Sequence, residues 1–115
     1  MAALIYKIVS AAAWDAATAA GRFDGAPVDL NDGYIHFSTA AQVRETAAKH
    51  FGGVAGLVLA AFDPATLGDQ LIWEPSRGGA LFPHLYEALD PTLALWVKPL
   101  PVTADGAHEF PGELT

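Results

Sequence analysis

Leu57-Val58-Leu59-Ala60-Ala61-Phe62 is an unbroken apolar run between Gly56 and Asp63-Pro64, the length and composition of a β-strand buried on both faces. Such a strand needs cover on each side, so the remaining segments are read for what they add to it. Leu4 to Val9 is aromatic and β-branched and reads as a strand; Ser10 then caps a helix over Ala11 to Ala20, which Gly21 stops. Asp24 to Gly33, rich in Asp, Gly and Pro, reads as a loop. Tyr34 to Phe37 is a short alternating strand, with Ile35 and Phe37 on one face and Tyr34 and His36 on the other.

Thr39-Ala40-Ala41-Gln42 matches a capping box, and Ala40, Val43, Ala47 and Phe51 recur at helical spacing before Gly52-Gly53. Asp63-Pro64 caps a helical turn through Leu67. Leu71 to Glu74 and Leu81 to Tyr86 flank a hairpin or wider loop, and Pro83 suggests an edge position or a bulge in the second arm. Thr92 to Lys98 alternates and is the last strand; from Leu100 on, prolines, glycines and single charges predict an extended or mobile tail. The outline is an α+β domain with a mixed, mostly antiparallel sheet, one that the strand order can split, and two helices in its first half. It is read as a single domain over 1–115, with a core of about 4–99 and a tail over 100–115.

Charge and composition narrow the function classes. Six Lys plus Arg against thirteen Asp plus Glu give a net charge of -7, which disfavours bulk binding to nucleic acid or to anionic membranes. The absence of cysteine removes thiol nucleophiles, zinc-finger spacings and disulfide frameworks. The apolar stretch near Met1 and the run Ala11 to Ala20 are too short for a signal-peptide core or a membrane span, so a cytoplasmic location is expected. No G-x-S-x-G elbow, Walker loop or dinucleotide glycine pattern occurs.

Two polar, aromatic-flanked segments remain. Trp73-Glu74-Pro75-Ser76-Arg77-Gly78-Gly79 precedes Phe82-Pro83-His84-Leu85-Tyr86. Arg77 is one of three arginines in an acidic chain, and the two glycines after it let backbone N–H groups turn toward an anion; the plain alternative is a hairpin loop with Arg77 paired to Glu74 or another carboxylate. In the other segment, His36 lies at a strand end, with Ser38 and Thr39 at a helix start, where free N–H groups favour anions; the alternative is a core histidine followed by capping hydroxyls. His50, at the second helix's end, reads as a cap, and His108, in the tail, has no assigned role. Were His36, His84 and Glu74 to converge, they would offer three ligands of a zinc site with an open position, but no metal is assigned from spacing alone.

The order Ile5-Tyr6-Lys7-Ile8, Trp14, Asp29-Leu30, Asp32 to Thr39, Trp73-Glu74, Ser76 to Gly79 and Phe82 to Tyr86 resembles a bacterial family of small stand-alone domains, domain of unknown function number 952. A more distant similarity, carried by Tyr6, Trp14 and Ile35-His36-Phe37-Ser38, is to ADP-ribosyltransferase-like proteins, especially the RNA 2'-phosphotransferase branch. That resemblance implies a cleft between two small sheets that takes NAD or a related nucleotide as substrate. It implies that His36 contacts a ribose or phosphate, that Arg77 contacts a phosphate, and that Glu74 supports an oxocarbenium-like transition state. The branch carries Tyr-His-Gly-Thr in its first strand; here Tyr6-Lys7-Ile8-Val9 stands instead, leaving Lys7 to meet phosphate.

The expected function is therefore binding of a phosphorylated or nucleotide-like small molecule, with ADP-ribosyl or phosphoryl transfer as the chemistry. His36, Glu74 and His84 are the catalytic candidates, and Ser38, Thr39, Trp73, Arg77 and Tyr86 the ligand-binding ones. The competing class is a non-catalytic protein-interaction domain, in which these polar residues are structural and Trp73, Phe82 and Tyr86 lie on an exposed sheet face. A monomer or small homo-oligomer is expected in either case.

Overall fold

A computed structural model of the chain describes residues 3–112 and 114 and, of Arg77, the backbone alone. The first strand, β1 (Ile5–Ser10), runs directly into α1 (Ala11–Ala20). Ser10 Oγ accepts the Ala13 N–H at 3.1 Å, and Gly21, at φ +79°, ends the helix by donating its N–H to Ala17 O at 2.9 Å. Both ends are as the sequence predicts.

The stretch expected to be loop instead contains a short helix, α2 (Pro27–Asp32). Its proline, aspartates and glycine act as helix punctuation: Pro27 fixes φ at the first turn, Asp29 Oδ2 accepts the Ala26 N–H at 2.8 Å, and Gly33 closes the helix at φ +88°. The same residue types serve loops and helix ends, so composition alone pointed the wrong way.

After α2 come β2 (Ile35–His36), β3 (Ser38–Thr39) and α3 (Ala40–His50), then β4 (Leu57–Phe62), β5 (Leu71–Pro75), β6 (Leu81–Leu85) and β7 (Trp96–Leu100). They form two separate sheets, ordered β3-β1-β4-β7 and β2-β6-β5. Among the described residues all of the strand pairings are antiparallel, which corrects the mixed sheet expected from the sequence. Parallel neighbours need a crossover that returns beside the strand just left; here α1 and α2 carry the chain from β1 to the other sheet.

One pentapeptide, Ile35 to Thr39, supplies an edge to both sheets. β2 pairs with β6, and one residue later β3 pairs with β1. The residue between them, Phe37, is buried; its N–H donates to Pro83 O at 3.0 Å and its ring meets Phe62 edge-on at 5.5 Å. Pro83 is therefore in the central strand of its sheet, not at an edge. A missing N–H is tolerated there because, on the side where Pro83 O points, β2 has already ended at His36.

The first sheet is covered on both faces. Ile5, Val9, Ala60 and Phe62 pack with Trp14, Phe23, Phe37 and Leu85; Tyr6, Ile8, Leu59 and Ala61 pack on the other side with Val43, Ala47, Leu100 and Leu114. β4 thus contributes side chains to both cores, as its unbroken apolar run requires. β7 begins four residues later than expected, because Asp90 and Pro91 set a 3-10 turn over Pro91–Leu93 in which Asp90 Oδ1 accepts the Thr92 N–H at 2.9 Å. Its inward residues are Trp96 and Leu100, while Leu95 and Val97 are exposed. Beyond Leu100 the chain folds back through a bridge between Val102 and His108, and Leu114 is 5% exposed in the second core, so this segment packs rather than trailing away. Among the described residues, no helix is long and apolar enough to cross a membrane.

Candidate functional site

The three-stranded sheet gathers most of the polar candidates on one face. His36, His84 and Ile72 lie opposite one another across β2, β6 and β5, so the two-residue period of a strand places Tyr34, Tyr86 and Glu74 on that face as well. Tyr34 is the centre of the group: its ring stacks on His84 at 4.0 Å and 25°, and lies 4.7 Å from His36 and 5.3 Å from Tyr86. The imidazoles of His36 and His84 meet edge-on at 5.6 Å.

Glu74 joins the outer strand to this group. Its Oε1 accepts from His84 Nδ1 at 2.8 Å and from Tyr86 OH at 2.6 Å, and Oε2 has no hydrogen-bond partner among the described residues. These bonds, from Tyr86 first and His84 second, hold the Glu74 carboxyl below its ordinary range; reciprocally, Glu74 raises the Tyr86 phenol to about 12. A carboxylate only accepts, so His84 carries a proton on Nδ1, and in the neutral ring Nε2 is a free base. That nitrogen has no partner among the described residues. The His84 side chain is 5% exposed, against 35% for Glu74.

His36 is gripped from both ends. Its Nδ1 lies 2.6 Å from Asp29 Oδ1 and its Nε2 lies 2.9 Å from Asp32 Oδ2. Asp29 is buried and accepts three further donors: the Ala26 N–H, the His36 N–H at 3.0 Å, and Lys7 Nζ, which is 2.9 Å from Oδ2. Burial disfavours its charge, but the His36 bond and the Lys7 ammonium outweigh this and lower Asp29 to about 2. Burial lowers Lys7 in turn, against the pull of Asp29. For Tyr34, burial and then the Asp32 and Glu74 charges push the phenol up.

The sequence-predicted residues therefore divide. His36, Glu74, His84 and Tyr86 come together. Ser38 and Thr39 do not join them: Ser38 Oγ, buried, pairs with Thr46 Oγ1 at 3.0 Å, and Thr39 caps α3, its N–H donating to Gln42 Oε1 at 3.1 Å. Trp73 alternates to the opposite face from Glu74, level with Pro83. The Arg77 side chain lies outside the described residues; its backbone belongs to the 3-10 turn Arg77–Gly79, where Gly78 and Gly79 have φ of +66° and +83°. Lys7, given a phosphate role by resemblance, is 4% exposed and committed to Asp29.

Sequence reasoning overlooked Tyr34, Asp29 and Asp32 as site members. The available signal was Asp29-x-x-Asp32 upstream of Tyr34-Ile35-His36, which reads as loop composition until α2 gives its aspartates a common orientation toward β2. Among the described residues, no group of three His, Asp or Glu is arranged to hold a metal ion. Two surface hollows lie elsewhere, one lined by Lys98, Pro101, Glu109 and Phe110, the other by Arg44, Ala47, His108 and Phe110.

Two antiparallel sheets sharing a split edge, with an imidazole, phenol and carboxylate face on the smaller one, define a small α+β protein with an acid–base cluster. The chain belongs to the family described as Protein of unknown function (DUF952), whose model matches residues 8–97. It is similar to protein CC0527 from Caulobacter crescentus, whose crystal structure has a TM-score of 0.89 at 54% identity and covers 92% of this chain and 93% of that one. The solution structure of the same protein has a TM-score of 0.81 at 55% identity, covering 90% of each chain. No curated protein matches the chain.

Proposed function

We propose that the polar face of β2, β6 and β5 binds a phosphorylated or nucleotide-like small molecule and serves a transfer reaction, ADP-ribosyl or phosphoryl, with NAD or a related nucleotide as substrate. The observation that carries this reading is the sharing of Glu74 Oε1 between His84 Nδ1 and Tyr86 OH. That arrangement orients one imidazole through Nδ1, with Nε2 and the second Glu74 oxygen without partners among the described residues, so that Nε2 is positioned for proton transfer and the oxygen to face developing positive charge. Gly78 and Gly79, both at positive φ beside this strand pair, support a phosphate position at the Arg77 turn. The ADP-ribosyltransferase-like likeness adds the substrate class. Its support here is the pair of small antiparallel sheets and the His36 and Glu74 positions.

The test is thermal unfolding in the presence of NAD, ADP-ribose, nucleoside monophosphates and 2'-phosphorylated nucleotides. A ligand at about a hundred times its dissociation constant raises the midpoint by several degrees in a domain of this size. The shift is expected for one nucleotide class and is lost in His84→Gln and Arg77→Ala. Absence of a shift from every compound overturns the reading.

One observation favours a second reading, a protein-interaction surface. The three aromatics expected on one exposed face do not share it, since Phe82 is buried and Tyr86 lies on the opposite face from Trp73. Trp73, near the β5–β6 turn, is 42% exposed beside Leu81 at 51%, and exposed aromatic side chains of this kind anchor interfaces. Light scattering tests it: a monomer at all concentrations and no change in Trp73→Ser removes self-association as the role of that surface.

A further inference from the structure

The two carboxylates on His36 are not equivalent. Asp29, whose side chain is 1% exposed, is locked by Lys7, two backbone N–H groups and the Nδ1 of the ring. Asp32, 36% exposed at its side chain, ends α2, and besides His36 it accepts only from its neighbour Asn31 Nδ2, at 3.3 Å, among the described residues. Asp29 cannot leave without opening the core; Asp32 leaves by a side-chain rotation into water.

Charge explains what that freedom allows. Lys7 and Asp29 cancel one another, and a ring facing a carboxylate at each nitrogen satisfies both contacts when it carries both protons. The single positive charge of that ring is then balanced by Asp32 alone. An anion approaching Nε2 meets no net positive charge while Asp32 is in place and one full charge once it has swung away. Tyr34, 4.7 Å from the His36 ring, forms the adjoining wall, and the Glu74 carboxylate lies beyond it on β5.

We infer that Asp32 is a built-in stand-in for the ligand's anionic group: it occupies the Nε2 position of His36 in the free protein, and a phosphate oxygen of the ligand displaces it. This rests on the ligand-binding reading above and assigns that ligand a phosphate position at His36, gated by Asp32, in addition to the one expected at the Arg77 turn.

The probe is inorganic phosphate, followed by NMR of the histidine ring resonances and by thermal shift, on the full chain. Asp32→Asn is expected to bind phosphate about tenfold more tightly than the parent, the effect of freeing one charge-assisted hydrogen bond, with the His36 ring resonances moving on titration. The gain is expected to vanish in Asp32→Asn with His36→Gln. Equal affinity in the parent and Asp32→Asn overturns the inference, as does a gain that survives removal of His36, because that would be a general effect of lowered negative charge. If the double variant does not fold, the ring resonances in Asp32→Asn decide: movement of His36 supports the assignment and a still His36 overturns it. Nucleotide binding that depends on His84 while Asp32→Asn leaves phosphate affinity unchanged sinks this inference alone. A phosphate gain at His36 without any nucleotide shift sinks the nucleotide reading and leaves the anion position standing.

Discussion

Lys7 Nζ lies 2.9 Å from Oδ2 and 3.0 Å from Oδ1 of Asp29, with the two side chains 5% and 1% exposed. A buried pair of this kind contributes little net stability over an apolar replacement, yet removing one partner strands the other as an uncompensated charge. Lys7→Met is therefore expected to destabilise the protein by about 3–5 kcal/mol, measured by urea unfolding. The contrast is Arg22 with Asp24, a pair 64% and 61% exposed; Arg22→Ala is expected to shift stability by less than about 1 kcal/mol, because water screens that pair. Equal effects from the two variants would show that the Lys7 pair carries no more than a surface contact.

The same carboxylate sets an acid dependence. Asp29 stands at about 2 in the folded protein against an ordinary 3.8, so the unfolded chain binds its proton more readily. Its contribution is present in full above about pH 4 and is lost as pH falls through about 2, an effect of about 2 kcal/mol. Unfolding free energy measured across that window is expected to fall with pH in the parent, and to fall less steeply in Asp29→Asn, after allowance for that variant's lower overall stability. Parallel profiles would assign the acid sensitivity to other carboxyls.

Glu74 and Tyr86 offer a spectroscopic check on the site. The Tyr86 phenol stands at about 12 because it donates to Glu74, so its folded-state value lies above the ordinary 10.0. The contact persists below that ordinary value and is lost as pH rises through about 12. Ultraviolet titration of phenolate absorbance, with Tyr86→Phe identifying the transition, is expected to show that transition moving down toward the ordinary value in Glu74→Ala. An unmoved transition would mean that the Glu74 contact does not hold the phenol.

Legibility of the fold followed locality. Elements fixed by their own residues were readable: Ser10 and Gly21 bracket α1, Thr39 and Gln42 open α3, and the apolar run of β4 demanded burial on both faces. Features fixed by distant partners were not. Pro83 looks like an edge residue until β2 is seen to stop beside it, and α2 looks like loop because its punctuation is shared with turns. The site shows the same division. The histidines, Glu74 and Tyr86 stand out in an alanine-rich chain, but that Ser38 turns to Thr46 and Trp73 to the reverse face depends on register. Lys7 was the hardest case, since a lysine in a strand reads as solvated until its partner 22 positions away is known.

The chain beyond Leu100 gives the last prediction. Its prolines and glycines are the composition of a tail, yet Leu114 is 5% exposed among Tyr6, Val43, Leu59 and Leu100, and Phe110 packs against the same cluster with the Arg44 guanidinium 5.1 Å from its ring centre. Burial of that extent makes the segment part of the core that covers one face of β1 and β4. Leu114→Ala is expected to cost about 2–5 kcal/mol, the range for a buried leucine. Leu95→Ala, at a side chain 56% exposed, is expected to cost under about 1 kcal/mol. Denaturant midpoints of the two variants decide the matter: if Leu114→Ala is as mild as Leu95→Ala, the segment is not part of the cooperative core.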